Sequence, residues 1–136
     1  MARSAKPRKQ YRPKPVGRPV MEQIRRDLIL PCRMCIETLR ASDDAEALDS
    51  ARHTIAACLN SFYVAAEGRD RQAAADGLDA LRGLIARHER TGLYRCTGPE
   101  LNALKCAVNW ADETLPYLTT AQLAAAFVYV HEVAAI

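Results

Sequence analysis

Large aromatic rings are scarce: the chain has two Phe, one Trp and five Tyr in 136 residues. A core without them must be assembled from Leu and Ala, both strong helix formers. No stretch alternates apolar and polar residues as a half-buried strand does, so a sheet architecture is set aside. The basic N-terminus lacks the apolar run of a signal peptide. No apolar stretch is long and charge-free enough to span a bilayer, and no membrane association is expected. The five cysteines are odd in number and irregularly spaced. That argues against a secreted disulfide scaffold and for reduced thiols in a cytosol.

Catalytic signatures are missing as well. There is no Gly-x-Ser-x-Gly, no Gly-rich loop of the Walker or dinucleotide type, and no cysteine in a recognised nucleophile signature. Cys32 and Cys35 form a Cys-x-x-Cys pair without a preceding strand pattern or a second ligand pair. A redox site needs the first and a structural zinc site the second. Both cysteines fall on an apolar stripe and are read as small core hydrophobes. His53, His88 and His131 share no constellation, and the Glu-x-x-His pairs of a di-metal bundle are absent. No catalytic residue, metal or cofactor is assigned, and an enzyme is not expected.

What is present is a charge asymmetry. Residues 1–26 hold nine Lys or Arg and a single acid, Glu22, whereas residues 27–136 hold ten basic and fifteen acidic residues. The net charge of +3 therefore belongs to an arm, and the body is mildly acidic. Residues 1–18 contain seven cations, no acid, and prolines at 7, 13 and 15. Proline prevents helix, so the arm is expected to be extended, reaching on the order of 50 Å. Arg3, Lys6, Arg8, Lys9, Arg12, Lys14 and Arg18, with the lone aromatic Tyr11, are the candidate contacts to a nucleic acid or another partner. Arg25 and Arg26 would extend that basic surface.

Residues 19–136 read as one all-α domain, a compact bundle of four to five helices. In the first, Met21, Ile24, Leu28, Cys32, Cys35 and Leu39 share a face. Pro31 predicts a kink or a break into two short helices, with Leu30 extended in the latter case. Ser42 or Asp43 is expected to cap the next helix, whose stripe is Leu48, Ala51, Ile55, Cys58 or Leu59, Phe62 and Ala66, with Gly68 as its stop. A third spans about Asp70 to Arg90, burying Ala74, Leu78, Leu81, Ile85 and His88, with Gly77 and Gly83 permitting close contact. Gly92 stops it, and Leu93 is expected to fold back. Thr97 and Glu100 form a capping box with Pro99 in the first turn. Leu101, Leu104, Val108, Ala111 and Leu115 then face inward, and Pro116 ends that helix.

A second box, Thr119 to Gln122, opens the segment that runs to Ile136. Leu123, Phe127, Val130 and Ala134 form one stripe; Ala124, Val128 and Ala135 form another. A helix apolar nearly all round is a central post or half of an interface. Ala124, Val128 and Ala135 are the candidate interface, which would make a homodimer.

Two segments carry a resemblance: Lys9-Gln-Tyr-Arg-Pro-Lys-Pro-Val16 and Thr91-Gly-Leu-Tyr-Arg-Cys-Thr-Gly-Pro-Glu-Leu101. They resemble small helical accessory proteins of bacteriophages and prophages of Proteobacteria. The resemblance implies a bacterial cytoplasmic setting and action by binding a host macromolecule, including inhibition of a defence or competing system. The expected function is non-enzymatic binding of a protein partner, with nucleic-acid binding through the arm as the alternative.

Overall fold

The structure, a computed structural model, describes residues 15–126. All are helix, turn or connection, apart from an isolated antiparallel bridge between Pro15 and Thr119. The expectation of an all-α bundle is met. The helices are α1 (Arg18–Ile24), α2 (Leu30–Ala41), α3 (Ala45–Ala65), α4 (Gln72–Thr91) and α5 (Gly98–Thr114). A 3-10 turn, Leu115–Tyr117, leads into α6, helical over 120–126.

Pro31 does not break the first helix. A π-helical turn, Arg25–Ile29, joins α1 to α2, and the Leu30 N–H reaches back to the Arg25 carbonyl. Proline has no N–H, and its ring clashes with the carbonyl four residues earlier. The wider turn lets the helix continue through that defect. Leu30 is accordingly helical, at φ −62° and ψ −47°, rather than extended. The turn also aims Ile29 and Cys32 at the core, where both are buried.

Two helix starts differ from the sequence reading. Asp44, not Ser42 or Asp43, caps α3 by accepting from the Glu46 amide at 3.2 Å, while Ser42 Oγ accepts from Asp44 N–H. Helix α4 begins at Gln72, whose amide donates to Asp70 Oδ1 at 3.0 Å. Gly92 caps α4 at φ 75°, as expected, whereas α3 is capped by Ala66, and Gly68, at φ 86°, follows in the turn two residues later. Leu93, however, stays 59% exposed, and it is the next residue, Tyr94, that packs back on the core cluster.

The predicted stripe of α3 is buried throughout, with Ile55, Leu59 and Phe62 fully enclosed. On α4 the buried edge lies slightly to one side of the expected one: Leu84 is fully buried and Ile85 only half. The reason is the close packing of α4 on α5. A β-carbon on Gly77 would lie 2.6 Å from that of Ala107, which is itself fully buried. Only a residue without a side chain lets the two backbones approach so nearly. At Gly83 the same space holds Glu100 Oε2.

Both capping boxes form. Thr97 and Glu100 exchange amide bonds at 2.8 and 3.3 Å, and Thr119 and Gln122 do so at 2.9 and 3.1 Å. Glu100 also holds Arg87 of α4 in a two-pronged pair, at 2.8 and 3.0 Å. Burial pushes the Glu100 carboxyl upward, but the Arg87 guanidinium and the Thr97 donors outweigh it and leave the group below its ordinary range.

Candidate functional site

Of the arm residues singled out, Arg3, Lys6, Arg8, Lys9, Tyr11, Arg12 and Lys14 lie outside the described residues. Arg18 opens α1 and pairs with Glu22 at 3.3 Å, with both side chains largely exposed. The arm's root is well defined. Val16 is 4% exposed and belongs to the core cluster, and its amide donates to the Leu118 carbonyl at 3.0 Å. The chain thus enters the body at a fixed place beside Leu118 and Thr119. An apolar valine within a basic, proline-rich segment was the signal for this anchor.

Next to that root stands a surface which sequence reasoning did not assemble. Tyr117, two residues before Thr119, is 65% exposed. The Arg69 guanidinium lies 5.4 Å from its ring centroid and donates to its carbonyl at 3.2 Å. Arg71 repeats the arrangement on Tyr63, at 3.9 Å from the ring and 2.9 Å from the carbonyl. Trp110 Nε1–H donates to the Asp70 carbonyl at 3.0 Å. The α3–α4 connection is therefore tied down through Arg69, Asp70 and Arg71, and its two guanidinium groups are held in place. Arginine on an aromatic face is attractive through the ring quadrupole. The sequence shows the two arginines flanking Asp70, but not the tyrosines that meet them from other elements.

Arg25 does not serve the basic surface as expected. It pairs with Asp112 of α5 at 2.7 Å, and Arg33 approaches the other carboxylate oxygen at 3.4 Å while donating to Asn109 at 2.7 Å. These contacts fasten the first helix to α5. Arg26 remains exposed, bonded to Asp27 at 3.1 Å.

Cys32, Cys35 and Cys58 occupy the positions foreseen for packing, whereas Cys106 is exposed. Cys32 and Cys58 are buried and adjacent, and Cys35 is half-buried. A hydrogen bond with the Cys58 thiol, followed by burial, raises the Cys32 pKa, and burial raises that of Cys35. Cys96 is pushed up to about 11 by burial and by the neighbouring Glu100 charge. Raised values disfavour the thiolate, the reactive and metal-binding form. No three His, Cys, Asp or Glu side chains converge as metal ligands among the described residues.

A polar chain links α3 to the connection after α4. The Tyr94 hydroxyl donates to Asp49 Oδ1 at 2.7 Å, as does Arg52, and the Tyr94 ring stacks on His88 at 3.6 Å between centroids. The Arg52 bond and then the Tyr94 bond hold the Asp49 carboxyl below its ordinary value. His53 Nδ1 lies 2.8 Å from the Asp49 carbonyl and 3.6 Å from Asp49 Oδ2. Tyr94 also lines a cleft of about 480 Å3 between the end of α2 and residues 92–96, with Leu39, Leu48 and Arg40 among its walls. His88 Nδ1 and Arg52 Nε are buried near this chain without a hydrogen-bond partner.

In α6, Leu123 and Ala126 are buried, whereas Ala124 is exposed. Val128 and Ala135, the other two candidate interface residues, lie outside the described residues. No helix among the described residues is long and apolar enough to cross a membrane. No protein-family model, curated protein or solved structure matches this chain.

Proposed function

We propose that this chain is a non-enzymatic binding protein that docks on a macromolecular partner. Its body makes the specific contact and its arm supplies electrostatic attraction. The observation that carries this reading is the fixed arm root. Val16 is buried and hydrogen-bonded to Leu118, so the six cations at positions 3–14 depart from a set point on a net-acidic body. A solubilising tail has no need of such an anchor, whereas a contact arm gains direction from it.

For the body, the reading is a protein partner. Leu30 and Met34 lie one turn apart on α2 and are 51% and 62% exposed. Exposed methionine suits a contact surface because its side chain adapts to the partner. The resemblance to phage accessory proteins sets this contact in a bacterial cytoplasm, with the protein blocking a host defence or competing system. Affinity purification of the intact chain, with and without nuclease, tests the reading. A protein captured in both conditions, and lost with the paired substitutions Leu30→Asp and Met34→Asp, is the expected outcome. Capture unaffected by those substitutions removes the α2 face from the proposal.

Nucleic-acid binding is the second reading, favoured by the arginine and tyrosine groups beside the arm root. In the same experiment it predicts capture that nuclease abolishes.

A further inference from the structure

We propose that a second copy of this chain covers the exposed face of α2, through a two-fold, antiparallel pairing of that helix with itself. The proposal shares the α2 face with the reading above but concerns the chain alone. A host partner and the second copy would compete for one surface.

Of the large apolar side chains left exposed among the described residues, only Leu30 and Met34 stand one turn apart on one helix. Cys32, Ile36 and Leu39 take the opposite side of α2 into the core. Arg33 is drawn sideways to Asn109 and Asp112 of α5. The π turn sends Arg25 the same way, to Asp112, and leaves Arg26 outward, one turn before Leu30. The outer face is therefore Arg26, Leu30, Met34, Glu37 and Ala41, each three or four residues from the next. Its charges are divided by sign, with the cation at the N-terminal end and the acid beyond Met34. Their side chains are 70% and 56% exposed, and each is paired only within its own end, Arg26 with Asp27 and Glu37 with Arg40. Exposed pairs of this kind hold their partners weakly, so both groups are free to turn to a second chain.

A two-fold axis between Leu30 and Met34 sets Leu30 of one copy on Met34 of the other, and the reverse. The same operation brings Arg26 of each copy to Glu37 of its mate. A parallel pairing would instead oppose Arg26 to Arg26 and Glu37 to Glu37. Charge thus selects the antiparallel arrangement, while the apolar pair supplies the affinity. Ala41, at the end of the face, has no bulk to hold the helices apart. A contact of about three helical turns lies below about 1,200 Å2, which places the dimer in the weak, transient class.

The test is sedimentation velocity of the purified full chain at low salt, from about 10 μM to about 1 mM. A concentration-dependent monomer–dimer equilibrium is the expected result. Leu30→Asp or Met34→Asp should weaken it by more than about tenfold. Arg26→Glu and Glu37→Arg should each weaken it by about fivefold when examined alone. Mixing those two variants should restore association, because in the mixed dimer both cross-helix contacts again join opposite charges. A monomer at every concentration overturns the proposal. So does a dimer that persists in Leu30→Asp, which assigns association to another surface. Absence of recovery on mixing overturns the antiparallel alignment and with it the proposal. Unchanged circular dichroism of each variant separates these outcomes from unfolding. No lysate enters the measurement, so its failure leaves capture of a host partner to be judged by its own experiment.

Discussion

The α4–α5 pair and the arm root hold the chain in opposite ways. Between α4 and α5 the contact runs along the helices, with Gly77 against Ala107 and Gly83 against Glu100. Its polar lock, Arg87–Glu100–Thr97, joins residues close in sequence. The arm root instead connects residues a hundred positions apart through the Val16–Leu118 hydrogen bond, the Pro15–Thr119 bridge and one buried valine. The first arrangement spreads its stabilisation over many atoms, and no single polar bond decides it. The second concentrates it, which suits a point from which a charged segment departs. Close packing makes a scaffold; a single anchored side chain makes an attachment.

The largest effect should come from filling the space at Gly77. Gly77→Leu places a side chain where even a β-carbon meets Ala107 at 2.6 Å. Overpacking at a backbone contact should lower stability by about 3 kcal/mol, read as a drop in the urea midpoint. A loss below about 1 kcal/mol would show that α4 and α5 slide apart easily, contrary to the contrast drawn above.

Val16→Ala tests the other side. Removing two buried methyl groups should cost about 2 kcal/mol if the root unfolds together with the body. If global stability is unchanged while hydrogen exchange at the Val16 amide rises, the root is a separate, weaker unit, and the contrast becomes sharper.

Acid lability should be smaller. The folded Glu100 carboxyl sits below its ordinary value of 4.5, so its contribution is complete above that value and is lost as pH falls through the lowered one. Glu100→Gln should largely remove this part of the pH dependence, while the weakened bonds to Arg87 and Thr97 lower stability at neutral pH by about 1 kcal/mol. An acid transition equally steep in the variant would assign it to other carboxylates, among them Asp49, whose pKa is also lowered.

Much of the bundle was legible in the sequence because helical periodicity and capping chemistry are local. The stripe from Leu48 to Phe62, the Thr97–Glu100 box and the stop at Gly92 need only near neighbours, and each is present. Pro31 was legible only as a perturbation. Whether it bends, breaks or widens a helix depends on what the following residues can bury. The π turn is the solution that places Ile29 and Cys32 in the core. The candidate site was half legible. Its cations follow from composition, but Tyr63 and Tyr117 come from α3 and from the turn after α5, and nothing in their spacing relates them to Arg69 or Arg71.

By itself, then, the amino-acid sequence determined an all-α chain with a basic segment on an acidic body, because propensity, caps and charge are properties of a residue and its nearest neighbours. Tertiary structure alone decided that Val16 anchors that segment, that Arg25 is turned to Asp112, and that Arg69 meets Tyr117. These are contacts between residues 48 to 102 positions apart, and their formation depends on which helix faces pack together.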